Sequence, residues 1–484
     1  IIAMTNEQRT PPSKIEVEAS IYDHRTFRED LFWQQIPAWE NISEEQFGDH
    51  TWQSKNSIKT PKDLVKVLGD RLDPDFLEDM TQGLEITPMN VRMTPYVFAL
   101  IDWDNPLDDP LRKQFLPVAS QFLPDHPFKA EDSLGEDTDS PVNMLTHRYP
   151  DKVLFLPLTT CPVYCSYCTR SRVIGGSTSS MKKSSYGAKS GQWDEVFDYI
   201  RQNPEVEDVV ISGGDSFNLR PEQITQIGET LLAIPHIRRF RYATKGIAIL
   251  PMKILTDDKW YNALLDVVKK GREMGKQVFI HTHFSSPREI TIWNKRAMDK
   301  LFQDGIIVRN QAVLQQGVNL SKEEMICLTR KLSYMNVQPY YVYQHDMVPG
   351  VEHFRTTIKE HMQLSKEVRG VTAGFNTPMF TCDLPGGGGK RPINSYEYYD
   401  QVHGISAWTA PLVKPGELFF YFDPIHKLAP AVQELWATNE GRSSMLREVI
   451  KQVDAVGTEY DKGKLEQKVN DLLESCQISN TNKF

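Results

Sequence analysis

From residue 152 onward, short apolar runs alternate with amphipathic segments, and this alternation is the main structural signal in the chain. The apolar residues of segment 193–200 recur at i, i+3, i+4 and i+7, which is one face of a helix. Strands that alternate with helices predict a parallel sheet, either doubly wound or rolled into a barrel. Six runs are typical of buried strands: KVLFLPL from Lys152, DVVIS from Asp208, RRFRYA from Arg238, QVFIHT from Gln277, IIVRN from Ile306 and QPYYVYQ from Gln338.

The regions on either side of this alternation have different patterns. Residues 1–40 are polar and lack a sustained period, so we expect a polar tail that is partly disordered. Residues 41–140 contain runs such as LVKVLGDRL, with apolar positions three and four apart, and are predicted to form a helical N-terminal region. The alternating domain is assigned to residues 141–400. Residues 401–484 are assigned to a C-terminal extension with one further strand-like run, ELFFYF from Glu417.

Composition and charge narrow the function classes. The chain has 484 residues and a net charge of −9, so a nucleic-acid-binding surface is not indicated. No apolar run approaches the about 18 residues needed to span a bilayer, and the first residues do not read as a secretory signal. Six cysteines, three of them clustered, do not make a disulfide framework. We therefore expect a cytoplasmic protein with no nucleic-acid or membrane partner.

The run CPVYCSYCTR, directly after the first predicted strand, is the strongest chemical signal. It brings Cys161, Cys165 and Cys168 together on one short loop. Soft thiolates select iron–sulfur centres or zinc, and a structural zinc site requires four protein ligands. Three thiolates on a four-iron cluster leave one iron open for a substrate, and this cysteine spacing is typical of radical S-adenosylmethionine (SAM) enzymes. The alternative is a zinc loop completed by a distant histidine such as His147.

The run DLPGGGGKRP, from Asp383 to Pro392, is the second strong signal. Successive glycines expose backbone N–H groups, which suit a phosphate. The run is not a Walker A motif, because Leu384 and Arg391 replace residues that the motif requires. The lysine at its end, Lys390, could form a Schiff base with pyridoxal phosphate (PLP). The alternative is a flexible glycine loop with a solvated lysine.

A Gly-Gly-Asp sequence, residues 213–215, ends the second predicted strand. By itself it reads as an ordinary turn. Its place, one strand after the cysteine loop, favours another interpretation. Two glycines let the backbone approach a ligand closely, and the aspartate can accept a hydrogen bond from an ammonium, so this edge is a candidate site for the amino group of SAM.

Charged residues near other strands are candidates for holding a substrate. Asp346 ends the sixth strand and Asp383 starts the glycine loop, and two such carboxylates could pair with a substrate cation, which needs a counter-charge when buried. Arg170 can hold a carboxylate bidentately. Arg148 and Tyr149 precede the first strand and either serve a phosphate or simply pack. For each charged residue the alternative is a surface ion pair.

Together these residues closely resemble the lysine 2,3-aminomutase family, which are PLP-dependent radical SAM enzymes. The resemblance runs from about Phe32 to about Tyr421. It implies a partial (β/α)6 radical SAM barrel, within an α/β fold, with a helical N-terminal region and a C-terminal extension. It rests on several motifs in the family's order: LFWQQ, EDTDSPVNMLTHRYPDKVLF, CPVYCSYCTR, ISGGD, THFSSPREIT, NQAVLQQGVN, PYYVYQHD, VEHFRT and DLPGGGGK.

The resemblance implies a role for each candidate residue. It implies that Lys390 binds PLP covalently and is the catalytic residue. It implies that Arg170 binds the substrate carboxylate, and that Asp346 and Asp383 hold the side-chain ammonium of lysine. The implied ligands of a [4Fe-4S] cluster are Cys161, Cys165 and Cys168. The residues implied to surround PLP are Arg148, Tyr149 and Tyr343, and those implied to contact SAM are Gly213, Gly214, Asp215, His283 and Gln311.

The implied activity is an isomerase reaction that moves the amino group of L-lysine from the α- to the β-carbon. Alternatives are the same chemistry on arginine and then glutamate, and a radical SAM dehydratase or deaminase on this scaffold. A non-catalytic alternative is an iron–sulfur electron-transfer or sensor protein, which leaves Lys390 and its glycines unexplained. The resemblance also implies a small-molecule amino acid substrate, a low-potential electron donor and a homo-oligomer.

The chain departs from the family pattern in three places. Lys245, in RYATKG, stands where the family has an arginine. The Gly/Ser/Lys-rich segment 175–191 is longer than in the family and is interpreted as a lid over the site or as a solvated linker. The cysteines that bind a structural zinc in some relatives have no counterparts, so zinc is not expected.

Overall fold

The computed structural model of the protein describes residues 23–184 and 193–479. The disorder predicted for the 1–40 tail cannot be compared at positions 1–22, which lie outside the described residues. Residues 185–191 of the Gly/Ser/Lys-rich segment lie outside them too. The end of the tail is folded, since 3-10 turns at Phe32–Gln35 and Pro37–Trp39 bury their aromatic side chains. Aromatic rings bury much apolar area, so these few residues attach the segment to the core.

The N-terminal region is helical, as the periodicity predicted. Its helices are α1 (Glu44–Phe47), α2 (His50–Lys55), α3 (Pro61–Leu68), α4 (Pro74–Ile86), α5 (Pro95–Leu100) and α6 (Pro110–Phe115). Each begins after a serine, threonine or aspartate whose side chain accepts a hydrogen bond from a backbone N–H of the first turn. Helices α3 to α6 also start with proline, which supplies no N–H where none is needed.

A nine-stranded sheet, curled into a partial barrel, carries the site. The strands follow chain order across the sheet: β1 (Leu145–Tyr149), β2 (Lys152–Leu158), β3 (Asp208–Gly213), β4 (Arg239–Thr244), β5 (Gln277–Thr282), β6 (Val308–Val313), β7 (Val337–Tyr343), β8 (Met379–Leu384) and β9 (Gly389–Pro392). The six predicted strands are β2 to β7. Strand β8 continues the parallel set, and β1 and β9 close its two edges in antiparallel pairings.

Helices cross over between consecutive parallel strands. They are α7 (Asp194–Gln202), α8 (Pro221–Ala233), α9 (Gly246–Ile249), α10 (Met252–Thr256), α11 (Asp258–Glu273), α12 (Ile292–Gln303), α13 (Lys322–Tyr334) and α14 (Ile358–Val368). The predicted helical face of segment 193–200 is confirmed, because Val196, Phe197 and Ile200 are buried in α7. With this connectivity the carboxyl ends of β2 to β8 meet at one rim, where barrel enzymes place their sites.

The C-terminal residues pack against the barrel. They form a three-stranded antiparallel sheet, β10 (Tyr398–Asp400), β11 (Ile405–Thr409) and β12 (Leu418–Phe422), followed by α15 (Pro430–Trp436), α16 (Asn439–Ala455) and α17 (Lys462–Ser479). Tyr421 joins the two sheets, because its hydroxyl donates to the carbonyl of His345 at 2.8 Å. Within the described residues, no helix combines the length and apolar character that a bilayer crossing requires.

Candidate active site

A cavity of about 330 Å³ opens at the carboxyl-end rim of the parallel strands. Every predicted site residue lines it except Arg148 and Tyr149. Those two line an adjoining cavity of about 180 Å³, which shares Arg170, Asp383 and Lys390 with the first. The fold therefore brings the whole predicted set to two adjoining cavities, and Lys390 lines both.

The cysteine loop follows β2, at the carboxyl-end rim. Cys161, Cys165 and Cys168 all line the larger cavity. Burial raises the pKa of each thiol, that of Cys165 to about 12, so the free thiolates are disfavoured. A cationic metal centre reverses that preference, because coordination deprotonates a thiol outright. The donor set fits an iron–sulfur cluster held by three thiolates.

The zinc alternative named His147 as a fourth ligand. Its Nδ1 lies 2.7 Å from the Tyr199 hydroxyl, and its ring lines neither cavity. Since His147 belongs to β1, on the far side of β2 from β3, it is turned toward helix α7 rather than toward the thiols. The structure thus contradicts a zinc loop completed by this histidine.

The glycines at the end of β3 serve close packing against the cysteine loop. Gly213 has a φ of +85°, and a Cβ there would lie 2.7 Å from the carbonyl oxygen of Leu158. A Cβ on Gly214 would overlap the backbone of Thr160. The sequence interpretation attributed these glycines to close approach of a ligand, but their first steric requirement comes from the protein's own loop. They set the position of the cysteines relative to β3.

Asp215 is already bonded within the protein. Its carboxylate accepts hydrogen bonds from the backbone N–H groups of Phe217 and Lys245, each at 2.8 Å, and from the hydroxyl of Thr244. These bonds join the ends of β3 and β4 beside the thiols. Asp215 lines the cavity while holding its wall together, and its direct contact with SAM stays a prediction.

Side chains from β5 and β6 connect the two cavities. His283 Nε2 lies 2.8 Å from the Tyr167 hydroxyl, and burial together with the charge of Lys245 lowers the pKa of His283 to about 3. The imidazole is therefore neutral at physiological pH. The side chain of Gln311 lies 2.9 Å from His281 and 3.3 Å from the Tyr343 hydroxyl. This network fixes polar groups between the thiols and Lys390.

Lys390 lies directly opposite Asp383 in the β8–β9 pair, with Nζ 2.8 Å from a carboxylate oxygen. Although burial opposes it, the charge of Asp383 raises the pKa of Lys390. The hydroxyl of Tyr149 accepts a hydrogen bond from the backbone N–H of Lys390 at 2.9 Å. The ring centroids of Tyr149 and Tyr343 lie 5.8 and 5.6 Å from Lys390 Nζ. The lysine is therefore paired within the cavity, with 28% of its side chain exposed.

The glycine run is the turn of this hairpin. Gly386, Gly387 and Gly389 have φ values of +77°, +86° and +76°, which favour glycine. The N–H of Gly386 donates to the carbonyl of Ser133 at 2.8 Å. The glycines therefore provide the turn that places Lys390 opposite Asp383, and a phosphate bound by their N–H groups stays a prediction.

The smaller cavity has a cationic lining that suits a phosphate. Lys152 and Arg241 line it beside Arg148, and sequence reasoning had missed both. Burial and then the charges of Lys390 and Arg241 lower the pKa of Lys152 to about 8, and its Nζ lies 3.9 Å from the Tyr149 ring centroid. Arg241 pairs with Asp208, while its Nε is buried and has no hydrogen-bond partner. Such a surplus of cations fits the phosphate of PLP.

The two predicted aspartates face the larger cavity. The hydroxyl of Thr169 donates to Asp346 at 2.6 Å, and burial and then the charge of Asp383 raise the pKa of Asp346 to about 7. One oxygen of Asp383 contacts Lys390, and the other is buried and has no hydrogen-bond partner. The predicted convergence of these carboxylates is supported by their shared cavity. The charge of Asp383 is thus close enough to oppose ionisation of Asp346.

Two cations at the rim already have carboxylate partners. Arg170 donates to Glu136, with Nη2 2.6 Å from one carboxylate oxygen. Sequence reasoning did not single out Glu136, because it lies in an acidic loop that reads as solvated. Lys245, where the family has arginine, donates to Glu289 at 3.1 Å and to the carbonyl of His283 at 3.0 Å. It lines the cavity as a paired cation next to Cys165.

Comparison with known proteins places this geometry in a family. No family model matches the chain. An L-lysine 2,3-aminomutase from Fusobacterium nucleatum is 37% identical over 357 residues, which cover 73% of this chain and 78% of that protein. One from Bacillus subtilis is 37% identical and covers 74% of this chain and 71% of that protein. The chain belongs to the lysine 2,3-aminomutase family.

A relative named for another substrate is also similar. A glutamate 2,3-aminomutase from Clostridioides difficile is 31% identical and covers 74% of this chain and 80% of that protein. Among solved structures, a radical SAM methyltransferase from Sphaerobacter thermophilus gives a TM-score of 0.32 at 16% identity, covering 49% of this chain and 68% of that chain. That similarity is too low to support an inference. The family resemblance and the isomerase class are confirmed by the aminomutases.

Proposed function

We propose that the protein is a lysine 2,3-aminomutase, which moves the α-amino group of L-lysine to the β-carbon. The observation that carries this proposal is a pair of adjoining cavities, the larger lined by three thiols and the smaller by several cations. Lys390 and Asp383 line both cavities, and Asp346 lines the larger. The relatives from Fusobacterium nucleatum and Bacillus subtilis, named for lysine, are each 37% identical to this chain, against 31% for the relative named for glutamate.

The cofactors are a [4Fe-4S] cluster, SAM and PLP. When bound, the cluster and SAM supply a carbon radical, and PLP stabilises the unpaired electron while nitrogen migrates. The cysteine loop holds the cluster, Lys390 holds PLP, and the cations of the smaller cavity hold the PLP phosphate. The roles of Gly213, Gly214, Asp215, His283 and Gln311 at SAM are proposed from their place on the cavity wall beside the thiols.

The protein's contribution is orientation and exclusion of water. Arg170 offers its guanidinium to the substrate carboxylate, and Asp346 and Asp383 pair the side-chain ammonium. Once Lys390 no longer needs Asp383 as its partner, that carboxylate is available to the substrate. The neutral imidazole of His283 and the amide of Gln311 keep the space between the two cavities polar without adding charge.

The charge of the pocket selects among amino acids. A lysine ammonium adds one positive charge beside two carboxylates, and burial and then the charge of Asp383 raise the pKa of Asp346. A glutamate side chain would add a third negative charge at low dielectric, which is strongly unfavourable. Arginine carries the right charge, but its longer side chain and planar fork need a different separation of the carboxylates. We therefore place lysine first, arginine second and glutamate last.

The proposal also covers the protein's partners, its cellular location and its division into regions. The substrate is a small molecule, and the reduced cluster requires a low-potential electron donor. A homo-oligomer and a cytoplasmic location are proposed on the family resemblance and on the oxygen sensitivity expected of an open cluster. The division into a tail at 1–40, a helical region at 41–140, a barrel at 141–400 and an extension at 401–484 also stays a proposal.

An anaerobic assay with a panel of amino acids tests the function. The protein is reconstituted with iron, sulfide and PLP, reduced, and supplied with SAM and lysine, arginine, ornithine or glutamate. We expect β-lysine from L-lysine as the preferred reaction, identified by chromatography and mass spectrometry. Preferred turnover of glutamate, or release of ammonia or water from the substrate, would instead favour the alternative reactions.

A further inference from the structure

The acidic segment 132–139 is attached to the active site by ion pairs. Asp139 pairs with Arg148 at 2.7 Å and with Lys414 at 3.2 Å, and Asp137 pairs with Arg172 at 2.9 Å. We call this segment the acidic strap. Its composition suggests a solvated loop, yet its carboxylates face cations of the barrel and of the C-terminal residues.

Glu136 is the most buried carboxylate of the acidic strap, with 5% of its side chain exposed. Arg170 donates to it through Nε, at 3.1 and 3.0 Å from the two oxygens, and through Nη2 at 2.6 Å. A guanidinium has two edges that can each hold a carboxylate, a side edge with Nε and one terminal nitrogen, and an end with both terminal nitrogens. Glu136 occupies the side edge, so the end edge remains for another carboxylate, and Arg170 is one of the residues that line the larger cavity.

The position of Glu136 is set by the turn that carries it. Its N–H donates to the side chain of Asp132 at 2.9 Å, and the preceding Gly135 has a φ of +65°. A Cβ on Gly135 would lie 3.2 Å from the backbone of Gly386, in the hairpin turn that leads to Lys390. The acidic strap therefore fixes Arg170 relative to the lysine hairpin.

Glu136 is ionised in this setting. Burial favours its neutral form, but the charges of Arg170 and Arg172 outweigh burial and lower the pKa of Glu136. Arg172 also pairs with Asp132 at 3.3 Å and with Asp137 at 2.9 Å, whereas the shortest ion pair of Glu136 is with Arg170, at 2.6 Å. A buried ion pair by itself is weak evidence for a stabilising role, and positional specificity is its best supported use.

We propose that Glu136 is a positioning residue: it holds the side edge of Arg170 so that the end edge is presented to the α-carboxylate of the substrate. This inference rests on the proposed function, because it assigns the substrate carboxylate to Arg170. Without Glu136 the guanidinium can rotate, and its side edge competes with its end edge for the substrate. The reacting carbons then lose their fixed distance from the radical source.

Two variants separate position from charge. Glu136→Asp keeps the charge but withdraws it by one methylene, and Glu136→Gln keeps the length but turns an N–H toward the guanidinium. Misplacement by about 1 Å can cost on the order of 100-fold in rate, so we expect losses of that order in kcat/KM for L-lysine in both variants. The matched control is Asp137→Asn, which removes the adjacent carboxylate of the acidic strap, 62% exposed, and should leave kcat/KM unchanged.

A second ligand distinguishes positioning from a general structural role. Binding of L-lysine and of 1,5-diaminopentane, which lacks the carboxylate, is followed through the PLP absorbance without turnover. We expect both Glu136 variants to weaken lysine binding and to leave diaminopentane binding unchanged. Equal weakening of both ligands, or loss of PLP and cluster from both variants, would overturn the proposal in favour of a structural role.

The remaining outcomes are also decisive. If Glu136 acted by charge alone, Glu136→Asp would match the unaltered protein and Glu136→Gln would bind lysine more tightly, and either result overturns the proposal. Failure of the unaltered protein to form β-lysine would refute the proposed function instead. The comparison of the two ligands would still report on Arg170, because it measures binding and needs no turnover.

Discussion

Replacing Asp383 by asparagine tests how the site holds the lysine side chain. The substitution keeps the shape of the residue and removes its charge. In the structure one carboxylate oxygen contacts Lys390 at 2.8 Å, and the other is buried with no hydrogen-bond partner. That second oxygen is a ready acceptor for a substrate ammonium. The change also removes the charge that, after burial, contributes most to the raised pKa of Asp346.

The expected loss follows from the charges. Removing one member of a buried, hydrogen-bonded charge pair costs about 2–5 kcal/mol, which corresponds to between about 30-fold and about 4,000-fold in binding. The loss is partly offset, because Asp346 ionises more readily once residue 383 carries no charge that repels it. We therefore expect a loss toward the lower end, about 100-fold in kcat/KM for L-lysine. The pKa of Asp346 should fall below its present value of about 7.

The assay compares L-lysine with L-norleucine, which has the same carbon chain but no side-chain ammonium. The unaltered protein should strongly prefer lysine, and Asp383→Asn should lose most of that preference while Asp137→Asn keeps it.

In the unaltered protein kcat/KM for lysine should rise with pH between about 6 and 8, because Asp346 loses its proton around its pKa of about 7 and becomes a carboxylate. Asp383→Asn should move that rise to lower pH. An unchanged lysine preference in Asp383→Asn would refute the assignment of the pocket.

Three further substitutions test the cofactor sites. Cys165→Ala should abolish an oxygen-labile [4Fe-4S] centre by iron and sulfide analysis, whereas a single stoichiometric zinc without sulfide in the unaltered protein would contradict the cluster. Lys390→Ala should lose the pyridoxyl label after borohydride reduction and keep the cluster, and a label mapped to another lysine would contradict the PLP assignment. Lys152→Met should weaken PLP binding by about 10- to 100-fold in equilibrium titration while sparing iron content, and unchanged PLP affinity would exclude Lys152 from the phosphate pocket.

The parts of the fold that could be predicted were those with strong local patterns. Strands β2 to β7 each carry buried apolar residues, because parallel strands are covered on both faces, and these residues are visible in the sequence. Strands β1 and β9 contain charged residues and glycine, so their strand character comes from pairing with neighbours. Strand β8 places Asp383 within the sheet, although the sequence interpretation put this residue at the start of a loop.

The candidate site was predictable where residues follow strand ends. The cysteine loop and the Gly-Gly-Asp sequence sit at carboxyl ends of parallel strands, which must share one rim. Lys152 and Arg241 were not predicted, because a charged residue in a strand is usually exposed to solvent. In the folded protein both line the smaller cavity, because the sheet curls around it. Glu136 escaped notice because its partner, Arg170, is distant in sequence and the surrounding acidic residues suggest a solvated loop.

The central claim is that nitrogen moves between adjacent carbons of lysine on this protein. It is tested most directly with L-lysine carrying nitrogen-15 at the α-amino group and carbon-13 at the β-carbon, incubated anaerobically with the reconstituted enzyme and SAM. The account predicts a product in which carbon-13 is bonded directly to nitrogen-15, visible as a one-bond coupling in the carbon spectrum. Labelled ammonia in solution, or lysine recovered without that coupling from protein that holds both cluster and PLP, would contradict it.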